Sequence, residues 1–252
     1  MKISATSPGC GTSVASHRCR FIHPPYRFGV VCSFERTNWR RVVQQRLLDI
    51  AIEQFGQHGL EGVSTREIAA AANTAMSSIT YHYGGKEGLY LAAADEVAKQ
   101  MGGGHEVSAF EQVAASGDPV AARGAIADIM RVFLKRLQQP QSNSWALFIM
   151  REQLNPTEAF ERIYAGPMGQ TGQVLVELIC VATGGQDRQA ARLAAISLFG
   201  QVLVMKAARA MCRKMLERET LSEEIIDEYA ARVVANIDAI LDRMIAERQE
   251  QI

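Results

Sequence analysis

Apolar residues recur at three- and four-residue steps along almost the whole chain beyond Trp39, and no stretch alternates strictly between apolar and polar. That period lays one face of an α-helix against a core, so the expected fold is all-α. Leu47, Leu48, Ala51, Ile52 and Phe55 make a first amphipathic helix, ended by His58-Gly59. Ser64-Thr65-Arg66-Glu67 then reads as a capping box, in which the serine hydroxyl takes the backbone N–H three residues on and the glutamate reaches back. A short alanine-rich helix follows, and then Asn73, a residue that tolerates the left-handed backbone of a tight turn. A second short helix carries Ser77, Ser78, Thr80, Tyr81 and His82 around one inward position, Ile79. Gly84-Gly85 breaks the chain, Lys86-Glu87 starts a fourth helix, and Gly102-Gly103-Gly104 stops it.

Later helix starts are marked in the same way. Asp118-Pro119 is an N-cap with proline in the first turn, opening a helix through Ile126, Ile129, Met130, Phe133 and Leu137 that Pro140 closes. Trp145, Phe148 and Ile149 fall on the next helix. Asn155-Pro156-Thr157-Glu158 reads as an N-cap and first turn of a long helix through Phe160, Ile163, Tyr164, Met168 and Val174. Gly184-Gly185 ends it, one helix is expected over 186–213, and Thr220-Leu221-Ser222-Glu223 reads as the box that opens the last. That last helix carries a narrow stripe of Ile226, Tyr229, Val233, Ile237, Ile240 and Met244, which must bury against its own domain or against a second copy.

Residues 1–38 show neither period and are expected to be a leader outside the fold. Residues 39–98 then form one small domain and 99–252 a larger one. Cys10, His17, Cys19 and His23 fit no common zinc spacing, so no metal is expected. Cys180 and Cys212 complete an odd, scattered set of five cysteines, which points to a reducing cytoplasm. The apolar runs 174–182 and 194–205 are interrupted by Glu177 and Gln201, so no membrane span is expected, and the first residues lack the apolar core of an export signal. Net charge is zero, but residues 1–38 hold five basic residues against one acid, and residues 217–252 hold ten acids against four bases. Overall charge reports on solubility and long-range steering, and a local patch can carry either sign.

Two short helices joined by a tight turn, the second covered in polar groups, form a helix-turn-helix suited to the major groove of double-stranded DNA. Thr65 and Arg66 start the first of them, and Arg66 can reach a guanine edge or a phosphate. Ser77, Ser78 and Thr80 can bond phosphates or base edges, and Met76 can touch a thymine methyl. Tyr81 and His82 project from the end of the reading helix, with capping of helix backbone as the structural alternative for His82. Lys86 fits a phosphate at the N-terminus of its own helix. Arg40 and Arg41, ahead of the first helix, can grip the adjacent minor groove. One motif reads one half-site, so a homodimer on a palindromic operator is expected.

The larger domain has no GxSxG, no phosphate loop and no HExxH, so no enzyme activity and no cofactor are expected. Met130, Phe133, Trp145, Phe148, Tyr164 and Met168, with Arg151 as a polar group, are candidates to line a pocket for a small-molecule effector. The alternative is that the apolar members are core and that Arg151 bonds backbone or an acid such as Glu152.

The stretch FGQHGLEGVSTREIAAAANTAMSSITYHYGGKEGLYLAAADEV resembles the N-terminal domain of TetR-type transcriptional regulators. The match runs through Phe55, Gly59, Thr65, Ile68, Ala69, Ile79, His82, Tyr83, Lys86, Glu87 and Leu89 over residues 42–98. The segment FIMREQLNPTEAFERIYAGPM is similar to the effector domain of the CecR-like branch. Asn73, Thr80 and Gly84-Gly85 depart from the commonest family pattern, which has a turn glycine, a phosphate-contacting tyrosine and a proline-containing pair at those places. The resemblance implies a dimer built by the last two long helices as a four-helix bundle. It also implies a cytoplasmic repressor of efflux or drug-sensitivity genes, released by a small apolar effector. An activator, or a helical dimeric binding module without specific DNA recognition, are the alternatives.

Overall fold

The computed structural model describes residues 33–102, 104–140, 142–185 and 187–250, and among them every regular element is helical. The first helix, α1 (Ser33–His58), starts within the stretch expected to be leader; the rest of that stretch, with Cys10, His17, Cys19 and His23, lies outside the described residues. α2 (Thr65–Ala71), α3 (Met76–Tyr83) and α4 (Lys86–Met101) complete the small domain. Its core is Leu47, Ala51, Ile52 and Phe55 of α1 closed over Ile68, Ile79 and Leu89, all essentially buried.

The larger domain holds α5 (Gly104–Ser116), α6 (Pro119–Gln138), α7 (Ser142–Leu154), α8 (Glu158–Ile163), α9 (Gly169–Thr183), α10 (Arg188–Ala207), α11 (Arg209–Met215) and α12 (Glu223–Gln249). The sequence pattern names no element where α5 forms. Asp118 caps α6 as expected, its carboxylate accepting from the backbone of Val120 and Ala121. Two other expected caps move by two residues. Thr157, not Asn155, caps α8, and Ser222, not Thr220, caps α12. The long helix expected after Asn155 is also broken. Gly166 leaves helical geometry (φ −91°, ψ −147°) next to Pro167, and a π-helical turn, Tyr164–Met168, separates α8 from α9. The helix expected over 186–213 stops at Ala207 and restarts at Arg209.

α12 lays its stripe inward. Ile226, Val233, Ile237 and Leu241 are buried against α6, α9 and α10, and Arg123 of α6 donates to Asp238 and Asp242. Gln201, the polar break in the apolar run 194–205, clasps α10 to α12: its backbone carbonyl accepts the Tyr229 hydroxyl and its side chain accepts from Asn236. α10 is also long and apolar enough, by length and composition, to cross a membrane, which corrects the expectation of no such helix. The helix runs from Arg188 to Ala207, so Ala190, Ala191 and Leu193 lengthen the apolar run 194–205 once they share one helix. One side of α10 (Ala191, Ala195, Leu198, Val202, Met205) is buried in the domain, while Leu193, Ile196 and Leu203 stand in solvent, Ile196 at 67%.

The domains meet where α1 crosses α7. The crossing is tight enough that a methyl on Gly56 would stand 3.0 Å from the Ser144 carbonyl and 3.2 Å from the Phe148 nitrogen. Glu152 of α7, 1% exposed, then ties the joint together. It accepts from the Tyr90 hydroxyl of α4 at 2.6 Å, from the backbone of Thr157 and Phe160, and from the Thr157 hydroxyl. Four donors take the place of a counter-cation, which is what keeps a carboxylate viable away from water. Burial first, and the Glu152 carboxylate second, hold the Tyr90 hydroxyl well above the usual tyrosine range.

Candidate nucleic-acid interface

The site is built by caps and turns. Ser64 starts α2 with a complete capping box: the Glu67 N–H donates to its hydroxyl, and its own N–H and hydroxyl donate to the Glu67 carboxylate. Those donors hold the Glu67 carboxyl below the usual range. Asn73 turns the chain with φ +54°, the left-handed geometry expected of it. At the other end of α3, Gly84 supplies the left-handed cap, and Gly88 seats α4 so close that a side chain there would run into the Tyr83 carbonyl.

α3 is thereby held with Ile79 buried and its other side outward. Met76, Ser77, Thr80, Tyr81 and His82 are all exposed, Tyr81 at 84%. Arg66 is exposed on α2. A concavity of about 590 Å³ between α2, α3 and the start of α4 brings together Thr65, Met76, Thr80 and Lys86, along with Ser64, Gly85 and Glu61. The N-terminus of α4 has no side-chain cap, so its N–H groups are open to an anion beside Lys86. Ser78 is half-buried and accepts from the Thr74 hydroxyl, so it sits at the edge of the surface. Arg40 and Arg41 lie on α1, which places them on the first helix instead of ahead of it; their side chains lie outside the described residues.

Three further members of this surface are not among the residues the sequence pattern points to. Gln44 of α1 donates its amide to the His82 ring Nδ1 at 3.2 Å, which orients the imidazole. Glu61 stands 3.9 Å from the Lys86 ammonium and competes with any phosphate for it. Thr74 fixes Ser78. Gln44 and Glu61 act between distant parts of the chain, where spacing carries no information, whereas Thr74 reaches Ser78 over a single helical turn.

The expected effector residues do not converge. Met130 is buried in the core, and Phe133 meets Phe199 edge to face. Tyr164 is exposed and stacks on Phe160 at the π turn, with Met168 half-buried beside it. Phe148 is buried against Tyr90, with ring centroids 4.8 Å apart, in the domain joint. Arg151 donates to the carbonyls of Gly56 and Gln57 at the end of α1. For Phe148 and Arg151 the pocket assignment is therefore corrected: both are spent on holding the small domain. Trp145 does line an opening, a cleft of about 470 Å³ between the domains.

Comparison with known proteins finds matches to two stretches of the chain. Residues 47–93 match the bacterial regulatory proteins of the tetR family, and residues 122–244 match the C-terminal domain of the HTH-type transcriptional dual regulator CecR. The chain is 30% identical over 203 residues to the HTH-type transcriptional dual regulator CecR of Shigella flexneri, covering 79% of this chain and 91% of that protein. It is 38% identical over 58 residues to the HTH-type transcriptional repressor AcnR of Corynebacterium glutamicum, covering 23% of this chain and 31% of that one. A TetR-family transcriptional regulator from Streptomyces coelicolor superimposes with a TM-score of 0.54 at 17% identity, over 81% of this chain and 96% of its own. These relatives are transcriptional regulators, not enzymes. With a complete helix-turn-helix, an exposed polar reading helix and a CecR-type C-terminal domain, the chain is a member of the TetR family of transcriptional regulators.

Proposed function

We propose that this regulator is a homodimeric, cytoplasmic repressor that binds a palindromic operator and is released by a small-molecule effector. The outward face of α3 carries the reading. Five exposed side chains of hydrogen-bonding or methyl-contacting type surround one buried isoleucine, on a helix whose outer face stands in solvent among the described residues. The exposed Leu193, Ile196 and Leu203 of α10 form the surface that a second copy would bury, and two copies set two reading helices on one duplex. Half-site centres are expected about one helical turn apart, roughly 34–36 Å, or a little more.

Release follows from differential affinity: a ligand that prefers a spacing of the two small domains unsuited to DNA lowers operator affinity by that preference. Efflux or drug-sensitivity genes are the targets implied by the CecR-like resemblance, and AcnR carries the word repressor in its name. CecR itself is named a dual regulator, so activation at some promoters is the second reading. Footprinting of the purified protein on its own upstream DNA and on genomic fragments tests the first part. Protection of an inverted repeat by a dimer supports it, and protection of a single unrepeated site overturns it. Transcript levels in a deletion strain give the sign of regulation.

A further inference from the structure

The cleft at the domain joint is walled by both halves of the molecule. Asp49 and Ile52 come from α1, and Gln100, Met101 and Gly102 from the end of α4. Arg136 and Gln139 from the end of α6, with Ser144 and Trp145 from the start of α7, close the other side. Its apolar wall is Ile52, Met101 and Trp145.

The charges around it are not balanced. Arg136 is fully engaged: one amino group donates to the Met101 carbonyl at 3.0 Å and the other to both oxygens of Glu106 at 2.8 Å. An incoming anion would meet Glu106 beside it. Asp49 is different. One of its oxygens accepts from the side-chain amides of Gln45 and Gln100, at 3.1 and 3.3 Å, and no basic side chain pairs with it among the described residues. The same two amides also reach Glu96, at 2.9 and 3.5 Å. Neutral donors thus bridge two carboxylates, and the Asp49 charge is left to the cleft. Trp145 is 7% exposed, and a cation that reaches its ring face gains attraction, because that face is negative.

We propose that the cleft between α1, α4, α6 and α7 binds an organic cation with a flat apolar body, such as an aryl quaternary ammonium, with Asp49 taking the charge and Trp145 the body. The site deepens the ligand-responsive reading above and rests on it for its consequence at DNA. An occupant wedges α1 and α4 away from α6 and α7. The tight crossing at Gly56, two turns along α1, leaves little room for α1 to yield without rotating the small domain.

The test uses the full-length protein and a matched pair of probes, (2-naphthylmethyl)trimethylammonium and 2-naphthylacetate, which share an apolar body and differ in the sign of charge. Calorimetric titration is expected to show saturable binding of the cation, one per chain, and much weaker binding of the anion. Asp49→Asn, a change at an exposed position, is expected to weaken the cation by about fivefold or more while leaving the melting temperature alone. Trp145→Phe keeps an aromatic wall and is expected to weaken both probes less. Equal binding of cation and anion, or unchanged cation affinity in Asp49→Asn, overturns the proposal; so does the absence of saturable binding up to millimolar probe. If the cation binds as described and operator affinity stays constant, the cleft stands and the ligand-response reading of the previous section fails.

Discussion

α3 and α10 are both helices with one face buried and one face bare, and their bare faces differ in the kind of partner each suits. α3 presents hydroxyls, an imidazole, a phenol and a thioether around buried Ile79. α10 presents Leu193, Ile196 and Leu203 around a buried face that is itself apolar. Water satisfies the first face without cost, so it can wait in solvent for a partner that offers hydrogen bonds. The second face gains by leaving water, at about 25 cal/mol for each Å² removed, and fits a partner as apolar as itself. In the function proposed above, the first face reads an edge of polar groups and the second closes a core between copies.

The strongest way to break this contrast is to put a charge on the apolar face. Ile196→Glu is expected to leave the monomer folded, since the side chain touches solvent there, and to abolish the dimer. Operator affinity should fall by about 100-fold or more, because burial of an unpaired charge costs several kcal/mol. Sedimentation and operator titration check both parts; a dimer surviving this change would place the interface elsewhere. On the polar face, Arg66→Ala is expected to cost about 1–3 kcal/mol on the cognate site and less on scrambled DNA if Arg66 reads a base. An equal loss on both would move Arg66 to the phosphate-contacting group. Lys86→Ala should weaken binding to every sequence alike and reduce the salt slope by about one.

The smallest effect has the opposite sign. Glu61→Gln frees Lys86 from a pair that is largely in solvent, and operator affinity is expected to rise by about two- to fivefold, most at low salt. No gain at any ionic strength would show that Glu61 does not compete with phosphate.

How far the sequence could be read follows the range of the interaction. The Ser64–Glu67 box and the Asn73 turn are complete within a few residues, and both formed where the pattern placed them. At Thr157 the local pattern points elsewhere, because Asn155-Pro156 is the stronger local signal, while Glu152, five residues upstream, draws the helix start to Thr157 by accepting its N–H and hydroxyl. The bare face of α10 was hidden for another reason. Leu198 and Val202 face inward and Ile196 and Leu203 outward, so both faces read as core and periodicity cannot choose between them. Arg151 bonds carbonyls 94 and 95 positions away. Its spacing from Trp145 and Phe148 put it on a shared face, and only the packing of α7 on α1 shows what that face touches.

The Glu152 carboxylate has a further consequence, for the life of the protein in a cell. Glu152 itself stands on α7 of the large domain and its partners lie in α4 of the small domain and at the start of α8, so neither domain can open without stranding a buried charge. The two parts should therefore melt in one calorimetric transition. A lesion anywhere in the helix-turn-helix core would then lower the abundance of the whole regulator through proteolysis of the opened chain, and a mutant that has lost regulation need not have lost any contact with DNA.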